Sequence, residues 1–381
     1  MSIILRSVLS TQCPAMGDPR PPMVIFAGQS HPAIAEDIAG HVGVKLGDIL
    51  VHNLTSTETE VKLQESIRGK EVYIIQSGSK KVNNDVFEML TMVYACKTSS
   101  ARKIVAVIPY LPYSKQCRMR RRACITSKLI AKMMCNAGIN HLITMDLHQR
   151  EIHGFFDCSV DNLRSSPFLL QYILDNITNY RECVMVAKNP SSTRRVSSYA
   201  ERLRVNFAVI HGELKEEREI DGRTSPPPTP LIGGNSGILP VVTPATFACS
   251  FPTPIPPYQQ KIKPSLSLVG SVKDKIAILL DDIIDDVEPW CLLAGFLKEQ
   301  GALKVYAMAT HGILSGNALQ IINSSPSLDQ VIITNTVPLS DGLALCPKIH
   351  VVDVSKMFAE AIRRIHNGES MSALFTNITQ D

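Results

Sequence analysis

A cluster of acidic side chains follows a buried apolar run, and it could bind a sugar phosphate or its metal ion. The run Ala277–Leu280 is followed by Asp281, Asp282, Asp285, Asp286 and Glu288. Carboxylates at the carboxyl end of a parallel strand commonly face such ligands, but a phosphate also needs backbone amides at a helix start. Pro289 has no amide hydrogen, and a carboxylate about 4 Å away would repel a phosphate by several kcal/mol at an effective dielectric constant near 20. The pattern therefore predicts a helix start that is capped by its own residues and does not hold phosphate.

A second group of polar residues follows a predicted strand at 141–146. Asp146 and His148 alternate with apolar residues, so both side chains can face one side, and Asp157 and Asp161 follow in the next loop. Such a set could hold Mg²⁺ and a nucleotide, although Mg²⁺ prefers oxygen ligands to imidazole. The alternative is the ordinary polarity of a surface loop, and these residues alone leave both interpretations open.

Strand and helix patterns alternate from Met23 onward. Short β-branched runs predict strands at 23–28, 71–78, 103–110, 141–146, 183–188, 207–212, 275–282, 304–312 and 330–335. Segments of helical period lie between them, and those at 125–138 and 354–368 end at a glycine. This alternation is typical of mainly parallel sheets flanked by helices, so we predict an α/β fold.

The length of 381 residues exceeds what one core usually supports, which favours two domains. We predict a disordered tail at 1–22, an N-terminal domain at 23–165 and a C-terminal domain at 166–366. The last segment, 367–381, is expected to pack back on the N-terminal domain.

A proline-rich segment at 221–265 interrupts the second domain. Ten of the chain's 24 prolines lie in 221–257, and proline both lacks the amide donor and restricts its neighbour. The segment is therefore predicted to be an irregular insertion between two strands. Its Ser-Pro and Thr-Pro pairs at Ser225 and Thr229 could be phosphorylated, and the alternative is an unmodified surface linker.

The composition excludes several classes of protein. A net charge of +4 over this length does not indicate a nucleic-acid-binding protein. The ten cysteines include no CxxC pair, which favours reduced thiols in a cytoplasmic protein over a disulfide framework or a zinc site. No apolar run approaches the ~20 residues of a membrane span, so no membrane association is expected.

Several motifs in order along the chain resemble the ribose-phosphate diphosphokinase family, also called phosphoribosyl pyrophosphate (PRPP) synthetases. They include "VIPYLPYSKQ", "ITMDLHQREIHGFFD", "ATHGILSG" and "AEAIRRIHNGESMSALF". The resemblance extends from about Met23 to Phe375, apart from the insertion. It implies two phosphoribosyltransferase-like α/β domains and a family activity that transfers pyrophosphate from Mg-ATP to ribose 5-phosphate.

The chain departs from the family pattern at the positions that the resemblance assigns to catalysis. The degenerate positions are Asn189, Gly212, Leu214, Asp286, Glu288 and Pro289. Remnants of the substrate loops are Lys115 and Gln116 on the ATP side, and Asp281, Asp282 and Asp285 on the ribose side. Loss of one transition-state contact costs roughly 10²–10³ in rate, so the combined losses predict a pseudoenzyme with no intact catalytic residues.

A separate set of residues matches the family's allosteric phosphate site at subunit contacts. Its members are Ser66, Arg68, Ser100, Arg122, Ser370 and Phe375. Hydroxyl and guanidinium groups at these positions could still bind phosphate. The alternative is that they are retained only for packing between subunits.

The lost catalytic residues and the insertion together resemble the non-catalytic, synthetase-associated branch of this family. The resemblance implies a regulatory subunit that assembles with catalytic synthetase subunits and related associated subunits, as a homo- or hetero-oligomer, and restrains PRPP synthesis. No cofactor is required for that role, although Mg²⁺ and ADP or phosphate could bind. Two alternatives stay open: an active diphosphokinase with a rearranged ribose site, and a sensor of phosphate or ADP.

Overall fold

The computed structural model describes residues 21–56, 58–119, 122–212, 266–339 and 346–376, which form two sheets with helices on their faces. The N-terminal sheet is parallel throughout. Its strands, in spatial order, are β1 (Met23–Ala27), β4 (Glu71–Ile75), β5 (Lys103–Ile108), β6 (His141–Met145) and β7 (Ser159–Leu163). Beside it, β2 (Ile49–Asn53) and β3 (Thr59–Leu63) pair as an antiparallel hairpin.

The C-terminal sheet has seven strands among the described residues. In spatial order they are β10 (Ser267–Val269), β9 (Asn206–His211), β8 (Cys183–Ala187), β11 (Ile276–Ile284), β12 (Lys304–Gly312), β13 (Gln330–Thr334) and β14 (Ile349–Val352). The edge strand β10 is antiparallel to β9, and the other pairs are parallel.

Helices cover both sheets, and buried apolar clusters lie between the helices and the strands. The helices are α1 (Pro32–Val42), α2 (Val82–Thr98), α3 (Thr126–Ala137), α4 (Ser166–Asn176), α5 (Thr193–Leu203), α6 (Glu288–Glu299), α7 (Ala318–Ser324), α8 (Ser355–Asn367) and α9 (Ser372–Thr376). Short 3₁₀ turns occur at Ser114–Gln116, Arg150–Phe155, Tyr180–Glu182 and Pro190–Ser192. None of the described helices is both long and apolar enough to span a bilayer.

Strand β11 sets the position of the acidic cluster. It lies between β8 and β12, and its residues Ala277–Leu280 are almost completely buried. A parallel strand that is covered on both faces is apolar on both faces, and Asp281 and Asp282 interrupt this pattern shortly before the strand ends at the buried Ile284. Asp281 and Asp282 are therefore held at the carboxyl end of the sheet.

The nine strands predicted from the sequence are all present, with ends that differ by a few residues. The sequence missed β2, β3, β7, β10 and β14. These strands are short, and most of their residues are only partly buried, as in "TEVKL" of β3 and "SVDNL" of β7. Without a continuous apolar run or strict alternation, such segments carry no clear strand pattern.

Helix α8 packs on the N-terminal sheet, whereas the predicted boundary placed residues up to 366 in the C-terminal domain. Phe358 and Ile362 are fully buried in the same cluster as Ile25 and Tyr73. The return of the chain to the N-terminal domain therefore begins near Val354, because the apolar face of α8 fills this core. The other predicted domain limits stay predictions.

The predicted insertion lies outside the described residues, as do Leu214, Ser225, Thr229 and residues 1–20 of the predicted tail. The strands on either side of the insertion are described, and they are neighbours, since Ser267 of β10 pairs directly with His211 of β9. The intervening segment thus connects two neighbouring antiparallel strands at the edge of the sheet. An insertion at such a connection leaves the ladder of the sheet intact.

Candidate functional site

The two carboxylates at the end of β11 are buried, and groups from the same chain pair with both. Asp281 and Asp282 are 9% and 3% exposed. Lys188, after β8, places Nζ 2.5 Å from Oδ2 of Asp281. Arg195 of α5 places Nη1 3.2 Å from Oδ1 of Asp282 and 3.7 Å from Oδ1 of Asp281. His148 of the N-terminal domain lies with Nδ1 2.5 Å from Oδ2 of Asp282, so oxygens that could face a ligand are occupied internally.

These ion pairs alter the titration of the buried groups. Burial opposes ionisation of Asp282, but the hydrogen bond to His148 and the charge of Arg195 outweigh it and hold the pKa of Asp282 below its usual range. Burial raises the pKa of Asp281, although the Lys188 ammonium acts against this. Burial would lower the pKa of Arg195, but the nearby carboxylates raise it. The guanidinium is therefore permanently charged and bound to the acidic pair.

The start of α6 satisfies its own backbone amides. Glu288 donates its amide to Oδ1 of Asp286 at 3.1 Å, Pro289 has no amide hydrogen, and Trp290 donates to the carbonyl of Val287 at 3.0 Å. Val287 and Trp290 are 2% and 4% exposed and pack in the core of the C-terminal domain. The first three helix positions thus offer no amide to a phosphate. The expected internal cap is confirmed, with Asp286 acting from the position before the N-cap residue Val287.

The remnants of the two substrate loops meet at the domain boundary. Nζ of Lys115 lies 3.4 Å from Oδ2 of Asp285, and Oε1 of Gln116 accepts a 2.6 Å hydrogen bond from the Thr126 hydroxyl. Lys115, Gln116 and Asp285 line a cavity of about 510 Å³ together with Tyr110. The structure therefore brings the predicted ATP-side and ribose-side remnants together.

The predicted magnesium set of Asp146, His148, Asp157 and Asp161 is not assembled, and that expectation is wrong as a four-residue cluster. Oδ2 of Asp146 accepts hydrogen bonds from Ser165 and Thr310, and His148 pairs with Asp282. Asp161 pairs with His141 at 2.8 Å, and Asp157 is exposed. Among the described residues no group of three or more His, Cys, Asp or Glu could hold a metal. The cause is that Asp146, His148 and Asp161 each pair with different residues, some of them distant in sequence, while Asp157 faces solvent.

A buried histidine, His311, also connects the two domains, and the sequence analysis did not identify it as a site residue. His311 of β12 donates from Nε2 to the carbonyl of Met145 at 3.1 Å, and its Nδ1 lies 2.8 Å from the Thr336 hydroxyl. Thr310 beside it reaches Asp146 at 2.9 Å. These residues, like Lys188 and Arg195, lack a local pattern that marks them, since their partners lie far away in the sequence.

Lowering the pH from about 7.5 to about 5.5 is expected to destabilise the protein partly through His311. Burial lowers the pKa of His311 below 6.5, so the folded chain keeps the ring neutral while the unfolded chain binds a proton as the pH falls through about 6.5. The stability from the neutral ring is therefore complete above that pH and is lost below it, by at most about 1.4 kcal/mol per pH unit. Melting temperatures across this range should fall less steeply for His311→Gln than for the unmodified chain. His153→Gln, at an exposed position, is the control, and equal slopes in all three proteins would contradict the expectation.

Of the degenerate positions, Asn189 forms a closed local turn and Gly212 has a left-handed backbone conformation. Oδ1 of Asn189 accepts hydrogen bonds from the amide of Ser192 at 3.0 Å and from the hydroxyl of Ser191 at 2.8 Å. The turn therefore caps its own amide, as an N-cap asparagine does. Gly212 follows β9 with a φ of +123°, a conformation that favours glycine over other residues.

Some of the predicted allosteric residues lie on the surface in one region of the N-terminal domain. Ser66, Arg68 and Ser100 are exposed, and the carbonyl of Ser100 accepts a 3.1 Å hydrogen bond from Gly69. The pairing of His366 with Glu71 at 3.0 Å brings the end of α8, and with it the exposed Ser370, toward the same region. Arg122 is exposed before α3, and the side chain of Phe375 lies outside the described part. A phosphate site at these six positions stays a prediction.

Family models match both domains. A model described as phosphoribosyl synthetase-associated domain matches residues 179–376. A second, described as N-terminal domain of ribose phosphate pyrophosphokinase, matches residues 23–138. Together they cover the C-terminal sheet and strands β1 to β5, whereas β6 and β7 lie between the two matches.

Curated relatives match along almost the whole chain. Phosphoribosyl pyrophosphate synthase-associated protein 2 of Homo sapiens is 51% identical over 364 residues, covering 94% of this chain and 95% of that protein. Phosphoribosyl pyrophosphate synthase-associated protein 1 of Homo sapiens is 50% identical over 362 residues, covering 94% and 97%. The crystal structure of phosphoribosylpyrophosphate synthetase from Mycobacterium smegmatis matches with a TM-score of 0.75 and 28% identity, covering 91% of this chain and 99% of that one. The two-domain α/β architecture expected from the sequence agrees with this likeness.

Proposed function

Because this chain belongs to the family of phosphoribosyl pyrophosphate synthase-associated proteins, we propose that it is a non-catalytic subunit that assembles with phosphoribosyl pyrophosphate synthetase and restrains its activity. The observation that carries the non-catalytic part of the proposal is the start of α6. Its amides are capped by Asp286, absent at Pro289 or bound to Val287, which leaves no donor for the phosphate of a sugar.

The ion pairs around β11 support the same proposal. Lys188 is engaged both by Asp281 and by the ring of Trp290, whose centroid lies 5.4 Å from Nζ. Arg195 is engaged by both aspartates. Cations held in this way are neutralised within the chain, and a substrate phosphate would have to displace buried carboxylates to reach them.

The fold also supports a role in assembly. The match to the Mycobacterium smegmatis synthetase covers 91% of this chain and 99% of that one, with a TM-score of 0.75. A subunit with the same fold can present matching contact surfaces while adding no chemistry. If its presence favours a less active arrangement of neighbouring catalytic subunits, it restrains them through a coupling free energy between subunits.

The proposal is tested by assaying the purified chain alone and then mixed with a catalytic synthetase. Alone, the chain should release no AMP above the blank from Mg-ATP and ribose 5-phosphate. Mixed, it should elute with the synthetase in size-exclusion chromatography and lower PRPP formation per catalytic subunit. Robust AMP release by the isolated chain would favour the rival function, an active diphosphokinase with a rearranged ribose site. Separate elution at all ratios would contradict the assembly.

A further inference from the structure

Two cysteines of the N-terminal domain lie in contact. Cys135 is in the last turn of α3, and Cys158 comes immediately before β7. Their Sγ atoms are 3.8 Å apart, and both residues are partly exposed free thiols. A disulfide requires about 2.05 Å between the sulfurs, so the atoms must approach by less than 2 Å. A change of side-chain rotamer and a small shift at the end of α3 can supply that movement.

We propose that Cys135 and Cys158 are a thiol-oxidation site that forms a reversible intrachain disulfide with a low-molecular-weight disulfide, such as oxidised glutathione, as the oxidant. The thiolate of Cys135 attacks one sulfur of the oxidant, which forms a mixed disulfide and releases one glutathione thiolate that takes up a proton. Cys158 then loses its proton, attacks Sγ of Cys135 and releases the second glutathione. Two protein thiols are oxidised by two electrons, and one glutathione disulfide is reduced to two thiols.

The surroundings of the two sulfurs support this order of attack. Burial and the neighbouring sulfur of Cys135 raise the pKa of Cys158 to about 12, so Cys158 is protonated at neutral pH and is a poor first nucleophile. Once Cys135 carries the mixed disulfide, Cys158 lies beside the sulfur that it must attack. Cys124 differs, since it is exposed and its sulfur contacts the Thr126 hydroxyl at 3.4 Å. Reaction at Cys124 should therefore stop at the mixed disulfide.

The bond would act on the segment that reaches the C-terminal domain. It would close residues 135–158, which include β6, Asp146 and His148. Asp146 bonds Thr310, and His148 bonds Asp282, so both cross the boundary between the domains. Closing this segment restricts the unfolded chain, and oxidation should raise the melting temperature by a few degrees.

The full-length chain is incubated with excess oxidised glutathione, and the remaining thiols are then alkylated and mapped by mass spectrometry without reduction. We expect a peptide pair joined through Cys135 and Cys158, two hydrogens lighter than the reduced pair, and its disappearance on adding dithiothreitol. The oxidised chain should also melt a few degrees higher.

Cys124→Ser is the matched control and should leave the cross-linked pair unchanged. Cys135→Ser and Cys158→Ser should each abolish the cross-link and the rise in melting temperature on oxidation. The native-chain measurement does not depend on the folding of any variant. If Cys135 and Cys158 are both alkylated after prolonged oxidation, or each carries glutathione without a cross-link, the proposal is overturned.

Discussion

Replacing Arg195 by methionine is expected to lower the free energy of unfolding by about 2–4 kcal/mol, because it leaves two buried carboxylates without their shared cation. The arginine spans both, with Nη1 3.2 Å from Asp282 and 3.7 Å from Asp281. Asp282 exposes only 4% of its side chain, whereas Arg195 exposes 33%. Solvent reaches the cation more than its partners, so the expected loss lies below that of a fully buried pair. Urea unfolding followed by fluorescence of the buried Trp290 measures it.

Two matched variants separate the ion pair from the packing of the side chain. Arg194→Met changes an exposed arginine on the same helix and should alter stability by no more than about 0.5 kcal/mol. Adding Asp282→Asn to Arg195→Met removes the unpaired charge and should recover part of the loss. With Asp282→Asn measured alone as well, the double-mutant cycle gives the coupling energy. If the single and double variants unfold at the same urea concentration, the charge pairing does not stabilise this site.

The sequence predicted the elements that form the cores and missed those at the edges. Strand β11 was identified because its apolar residues are continuous, as burial on both faces requires. Strands β2, β3, β7, β10 and β14 were missed because part of their residues face solvent. The packing of α8 on the N-terminal sheet was also missed, since an amphipathic pattern predicts a buried face but does not identify the surface that covers it.

The sequence predicted the acidic residues of the candidate site but not the cations and the histidine that pair with them. The acidic strand end and the capped helix start are local, so Asp281, Asp286 and Pro289 could be interpreted from their neighbours in sequence. The partners of the acids could not. Lys188, Arg195 and His148 come from three other segments, and their role arises when the parallel strands and the two domains meet. The carboxylates resemble a ligand site in the sequence, but in the folded chain they pair with side chains from other segments.

Opening the start of α6 is expected to create phosphate affinity without creating an enzyme. In the full chain, Asp286→Gly, Glu288→Gly and Pro289→Thr together remove two carboxylates, release the amide of residue 288 and restore an amide at residue 289. Asp286 and Glu288 are both exposed, so their repulsion of a dianion is screened to about 1 kcal/mol per pair of unit charges at 4 Å. Two carboxylates facing a dianion make four such pairs, about 4 kcal/mol, which corresponds to about 10³-fold in affinity before any contribution from the backbone donors. Calorimetric titration with ribose 5-phosphate should show this gain over the unmodified chain.

AMP release by the triple variant should stay at the blank level, because Gly212 and Asn189 are unchanged and Lys188 and Arg195 remain bound to carboxylates. The variant Asp286→Asn with Glu288→Gln removes the same charges but keeps Pro289, so it should show only the charge contribution of about 10³-fold. The difference between the two variants measures what the backbone donors add to the loss of charge. If the unmodified chain binds ribose 5-phosphate as tightly as the triple variant, the acids at the start of α6 do not exclude the sugar phosphate.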